Sequence, residues 1–454
     1  MKRSLLLLAA VLALVWLPAG SAQAHGVSPT ADLQIAQTFA GNELTVILRR
    51  TPEVPGPLHV EVIAHDPVNP LQLGLAVAGG SSPVRLDLVA AGPHRATLRV
   101  ESPGQYELVL TAGDEQAVLP FRVLVDNLAS WEVVTYGGFT LAGLLILGSL
   151  GTAVLGVRRP LVRVLAVPQA VGVVVVLVVA STTAVLSKDL PPAIPDGAPP
   201  TATSGTDPAD GSAPNGRPYV NLGLATVPAR PSAGKPFDLQ LRLYDGNTGR
   251  AVDDVVAHHA ALLHAVVTSQ TGNDFRHAHP VRTSPGVYTL RMAAYEPGRY
   301  YLHAEFERTD SGAQLVSADF EVGGSPVARP VERQAGNVRI DVGAAIAGRP
   351  VTVEAEVTGA NDLQPWLGMA GHLVLRDQSG TFFGHAHELT SMAAQAKTVR
   401  AAAPDETVAT LGPALRFTYT FPRPGRYLAW LQYARNYRIH TVPFVITVAK
   451  GERP

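Results

Sequence analysis

The sequence predicts a mainly β protein: three immunoglobulin-like β-sandwich modules, two transmembrane helices and a cleavable signal peptide. Three observations carry this. A Pro-Gly-x-Tyr corner occurs at 103–106, 297–300 and 424–427, each time followed by one strand and then a closing strand. Two long apolar stretches lie mid-chain. The 42 Gly and 37 Pro among 454 residues favour short strands joined by turns, and no long amphipathic helical pattern competes.

The elements follow in order. Residues 1–24 read as a signal peptide: Lys2 and Arg3, an apolar core, then Ala22-Gln23-Ala24 as a small-x-small cleavage site. Residues 25–128 form an N-terminal extracytoplasmic sandwich. Residues 133–157 and 161–186 are each long enough to cross ~30 Å of hydrocarbon. The loop at 158–163 carries Arg158, Arg159 and Arg163 and no acid, which places it in the cytoplasm and both flanking regions outside. Residues 188–217, rich in Pro, Ala, Gly and Ser, form a tether that cannot bury enough apolar surface to fold. Residues 218–324 and 335–450 are two histidine-rich sandwiches of about 100 residues each, the usual size of this fold.

Composition narrows the function. A net charge of −1 gives no electrostatic case for nucleic acid. The absence of Cys removes disulfides, thiolate ligands and cysteine nucleophiles. Four Met are too few for a methionine-rich copper(I) strip.

The pattern H-x12-H-x-H occurs twice, 108 residues apart, in a chain with 14 histidines. In the later copy, 372–376 reads as a strand, Gln378-Ser379 as a two-residue loop and 381–387 as the returning strand. That register sets His372 opposite His385, and His387 projects from the same face two residues on. In the earlier copy His264 faces His277, and His279 follows. Three imidazoles on one face form a candidate site for copper, with zinc as the alternative.

Further donors lie near. His258 shares strand parity with His264. His303 follows the second corner; its counterpart in the third region is Trp430, with His440 as the nearest substitute. Met369 is an axial candidate. Cleavage after Ala24 exposes His25, whose amine and ring together suit copper(II). His59, His65 and His94 lack the pattern and read as surface residues. Each module is expected to hold its own ion independently, with affinity falling as pH drops through ~6.5, where imidazole gains a proton.

The segments 368–377 (GMAGHLVLRD), 383–387 (FGHAH) and 421–427 (FPRPGRY) resemble the exported bacterial YtkA-like, heavy-metal-associated secreted β-sandwich domains. The second region is similar more loosely, through His264 and 275–280 (FRHAHP). The resemblance covers roughly residues 218–450. It implies an extracytoplasmic domain that handles copper or another metal. Glu388 stands where the family pattern has Pro, and 389–410 is an extra polar stretch. The N-terminal region is similar only in class to small copper-carrier sandwiches.

The expected function is a membrane-anchored protein that binds, buffers or delivers copper, with a metal transporter or a metalloprotein acceptor as partner. No catalytic acid–base pair or Ser-His-Asp pattern stands out, so no enzymatic activity is expected. The alternative is a structural or adhesive surface protein with incidental histidines, which metal content would distinguish.

Overall fold

The structure is a computed structural model that describes residues 32–49, 51, 53–80, 82–156, 164, 166–190, 195–198, 219–309, 311–329, 337–391 and 405–451. The expected signal peptide, His25, the Arg-rich loop and residues 191–194 and 199–217 of the expected tether lie outside the described residues. The chain divides into two compact units, one containing Leu124–Ala198 and the other Thr30–Val123 with Pro199–Pro454.

The first unit holds two helices, Ser130–Gly156 and Ala166–Leu186. Within them, Ser130–Val154 and Val167–Leu186 are long and apolar enough to cross a membrane. A Cβ on Gly138 would stand 2.8 Å from the Ala180 Cβ, so small side chains let the helices approach closely. Thr152 Oγ1 donates to Gln169 Oε1 across the pair at 2.9 Å. Asp196 and Val125 exchange backbone hydrogen bonds of 2.9 and 3.1 Å.

The second unit is mainly β among its described residues, and its strands form six sheets, two in each of three regions. In the first region, Leu33–Phe39, Asn42–Leu48, Gly56–Ala64 and Gly92–Val100 make one sheet, and Val84–Leu88, Leu71–Val77, Gly104–Ala112 and Glu115–Val123 the other. In the second region, Val281–Ser284, Val287–Ala293, Pro236–Asp245 and Val220–Val227 make one sheet. The other joins Val255–Val256, Gly298–Arg308, His264–Ser269 and Phe275–Ala278, with Gly312–Val322 paired to Gly298–Arg308. The third region repeats that second sheet with Leu363–Gln364, Gly425–Arg435, His372–Asp377, Phe383–His387 and Arg438–Val448. Its other sheet is Val338–Val342, Pro350–Val357 and Ala414–Thr420.

Alternation explains the cores. Pro236–Asp245 buries Phe237, Leu239, Leu241, Leu243 and Asp245 and turns the alternate residues outward. The three Pro-Gly-x-Tyr corners also serve one purpose. The Tyr106, Tyr300 and Tyr427 hydroxyls each donate to the carbonyl four residues upstream, at Ser102, Glu296 and Arg423 (2.9, 3.1 and 2.8 Å). This is the tyrosine corner of immunoglobulin-like sandwiches.

The second and third regions press their repeated hairpins together. Phe275 stacks on Trp430 (centroids 4.7 Å apart, planes at 18°), and Phe383 stacks on His303 (4.7 Å, 16°). Each ring lies on the other region's central strand, and Val266, Phe275, Val374, Phe383 and Trp430 form one buried cluster. The hairpin turns complete the exchange. Gly272, at φ +81°, packs against Leu428 and Trp430; Gly380, at φ +74°, packs against the Tyr301 ring.

Both glycines combine a left-handed backbone with a space that a Cβ would fill. A Cβ at position 380 would come within 2.6 Å of three Tyr301 ring atoms, and Arg376 holds that ring with its guanidinium 4.7 Å above it. At 272 the nearest contact is the mobile end of Leu428. Gly380→Ala is therefore expected to destabilise the chain by ~1–3 kcal/mol, more than Gly272→Ala. Denaturant unfolding of the two variants checks this; two neutral substitutions would contradict the packing.

Candidate metal centre

The hairpin loops are longer than the sequence reading expects. Asp377 N–H donates to the Phe382 carbonyl at 3.2 Å, and Ser269 N–H to the Asp274 carbonyl at 2.8 Å, so each loop has four residues, not two. The register moves by two. His372 lies opposite His387, and His385 lies opposite Val374; in the second region His277 lies opposite Val266. The expected pairs His372–His385 and His264–His277 are thus diagonal neighbours. Because the shift is even, all three histidines of each copy still share one face.

The two triads are His264, His277, His279 and His372, His385, His387, and within each the candidate ligand nitrogens all lie within 4.8 Å of one another. His264, His279 and His372 are buried, and the other three are partly buried. His264 Nδ1 lies 3.3 Å from both His277 Nε2 and His279 Nε2, and His372 Nδ1 lies 3.2 Å from His385 Nε2. A tetrahedral ion with bonds of ~2.0–2.1 Å has ligand–ligand edges of ~3.3 Å.

The outer nitrogens fix the tautomers. His264 Nε2 meets the His258 carbonyl at 3.0 Å, and His372 Nε2 meets the Trp366 carbonyl at 3.1 Å. A carbonyl only accepts, so both Nε2 atoms carry the proton and both Nδ1 atoms present lone pairs. His279 Nδ1 donates to Glu43 at 2.5 Å, and His385 Nδ1 to Glu305 at 2.8 Å. His277 Nδ1 donates to Gln432 Oε1 at 2.8 Å; the Gln432 amide nitrogen is committed to Thr441. Five of the six rings therefore aim an unprotonated nitrogen at their triad. Uncharged, these lone pairs repel at 3.2–3.3 Å. A cation among them turns that repulsion into ligation, and the outer partners raise ligand basicity as supports of metal-bound histidines do.

The local fold supplies both carbonyls in the same way. Turns at His258–Ala261 and Trp366–Met369 each close by backbone pairing and each contain two consecutive positive-φ residues, His259 and Ala260, then Leu367 and Gly368. The first residue of each turn presents its carbonyl to the histidine six positions later.

Burial first, and neighbouring imidazoles second, push the His264, His277 and His372 rings well below the ordinary histidine pKa of 6.5. Burial, aided by the His385 ring, lowers His387 to about 2. These rings stay neutral, as ligation requires, below the pH of ~6.5 expected for a free imidazole.

Several expected residues fall elsewhere. His303 shares the ligand face but stacks on Phe383 and bonds Ser317 Oγ at 2.8 Å, so it belongs to the interface between the hairpins. His440 stacks on Tyr433 at 5.0 Å and lines a cavity of about 1080 Å³ that reaches His277, Gln432 and Trp366. His258 pairs with Glu307 through Nδ1 at 2.5 Å, and its carbonyl, not its ring, serves His264. Met369 pairs by its backbone with Trp366. His65, expected at the surface, is 3% exposed and contacts Thr45 and Glu406, because the first region packs on the third there. His59 is exposed and His94 half-exposed.

The two triads, expected as sites in separate modules, lie side by side. The triads face each other, with His277 5.1 Å from His385 and 5.9 Å from His372, and His264 6.0 Å from His385. Their supports cross over: Gln432 of the third region holds His277 of the second, and Glu305 of the second holds His385 of the third. Sequence reasoning missed Glu43, Glu305 and Gln432. Parity could have found two of them, since Glu305 and Gln432 lie two residues beyond His303 and Trp430 on the ligand face. Nothing local marks Glu43, which comes from the first region.

A family model described as a domain of unknown function (DUF8832) matches residues 222–324 and again 332–450, the second and third regions. No curated protein matches the chain. Solved structures similar to it include a tetra-tandem repeat in the extending region of a large adhesion protein (10% identity, 92% of this chain and 74% of that one, TM-score 0.17). They also include the Escherichia coli adhesin FdeC (12%, 94% and 99%, TM-score 0.17) and the chicken CNTN1 FN1–FN3 domains (8%, 88% and 97%, TM-score 0.16). At such TM-scores these neighbours carry no argument about function, and the chemistry rests on the site's own residues.

Proposed function

We propose that the chain is a membrane-anchored, extracytoplasmic metal-binding protein that holds copper at the two histidine triads and buffers or delivers it. The observation that carries this is the tautomer pattern: outer nitrogens tied to acceptors and inner lone pairs converging at 3.2–3.3 Å. All-imidazole ligation suits copper and also zinc, and affinity order favours copper where copper is present. The resemblance to YtkA-like domains agrees with this reading. Six imidazoles with carboxylate, amide and carbonyl supports suit holding an ion and passing it on, to a metal transporter or a metalloprotein acceptor. The three sheet pairs are read as three immunoglobulin-like sandwiches.

Trp366 gives the site a built-in reporter. Its ring lies 5.1 Å from His372 and 5.3 Å from His277. Copper(II) added to the full chain in detergent is expected to quench this tryptophan in step with binding. Trp366→Phe should lose most of the quenching and keep the bound metal. His385→Ala with His387→Ala should abolish binding at the third-region triad. Binding should persist below pH 6.5, because burial keeps the His264, His277, His372 and His387 rings neutral. Equal, weak binding by the wild type and the double variant would favour the adhesive alternative.

The topology proposed with it places residues 25–132 and 188–454 outside the cytoplasm, on the signal-like start and the Arg-only loop. Protease added to intact spheroplasts is expected to digest both regions. Survival of the C-terminal region would reverse the orientation.

A further inference from the structure

The triads are close enough to raise a question that neither answers alone: whether an ion in one is felt by an ion in the other. Ring separations across the interface, 5.1 to 6.0 Å, overlap those inside the triads, 4.7 to 5.6 Å. Among the described residues no strand lies between the two sets, since each hairpin turns its histidine face to the other. His277 and His385 belong to different triads yet are as near each other as His277 is to His279, both at 5.1 Å.

We propose that the six histidines form one dinuclear centre, in which two copper ions occupy a single pocket and couple to each other. This rests on the metal-binding reading above. Three features support the pair. The first is the crossed support, which makes neither triad complete without the other region: Gln432 orients His277, and Glu305 orients His385. The second is charge. Two carboxylates, Glu43 and Glu305, bond directly to ligand rings, one in each triad, and so set one negative charge beside each ion. That matters because like charges at this separation repel strongly in a buried site, where the effective dielectric is low. The third is enclosure. Trp366 lies against both triads, its ring centroid within 6.0 Å of those of His279, His277 and His372, so one side chain walls both ion positions.

Paramagnetic resonance of the full chain in detergent, loaded with copper(II) alone, tests this. At one ion per chain in His385→Ala/His387→Ala, and in the mirrored His277→Ala/His279→Ala, the expected spectrum is an ordinary mononuclear signal with full spin count. At two ions per wild-type chain the expected spectrum is not the sum of those two. It is broadened or reduced in spin count, with a half-field transition. Glu305→Gln is expected to weaken the second equivalent of copper more than the first. Two bound ions whose spectrum equals the sum of the single-site signals would overturn the coupled centre and leave metal binding standing. A wild-type chain that saturates at one ion would also overturn it. A chain that binds no copper would remove the reading beneath the proposal.

Discussion

The structure turns on one constraint: six imidazoles packed into a largely apolar interface must each place two nitrogens. Five of the outer nitrogens are satisfied by the His258 and Trp366 carbonyls, Glu43, Glu305 and Gln432. The inner ones have only each other. An unpaired buried polar atom is costly, and lone pairs at 3.2–3.3 Å are costlier still. His387 Nε2 has no hydrogen-bond partner among the described residues. The arrangement is coherent if a cation belongs at its centre.

The rest of the second unit holds those rings in place. The hairpin turns lock onto the opposite region through Gly272 and Gly380, and the aromatic exchange of Phe275 with Trp430 and Phe383 with His303 clamps the hairpins face to face. The first region adds the third wall. Thr38 N–H donates to the His279 carbonyl, His279 N–H donates to Thr38 Oγ1, and Glu43 reaches the His279 ring. Ala36, Ala261, Trp366, Leu367 and Ala434 bring all three regions into one small core. Arg438 and Asp66 add an ion pair between the third region and the first.

Much of the fold was legible because it is periodic. The three tyrosine corners, the two apolar helices and the shared face of each triad follow from local spacing. The hairpin register did not, because a two-residue and a four-residue loop obey the same turn chemistry at Asp377-Gln378-Ser379-Gly380. Parity survived that error because the shift is even. What could not be read was long-range packing. No local signal says that one triad meets its copy, that His303 gives up metal for Phe383, or that Glu43, more than 200 residues away, completes the site. The repeat at 108 residues was visible. That its two copies would pack on each other depends on surface complementarity that pattern does not encode.

The central claim is that these imidazoles are metal ligands. X-ray absorption of the copper-loaded full chain tests it most directly. The account predicts a nitrogen shell at ~2.0 Å with the outer-shell scattering of about three imidazoles per copper, and no sulfur. A shell of oxygens with at most one imidazole per copper would contradict it, since that is the signature of ions held loosely at the protein surface.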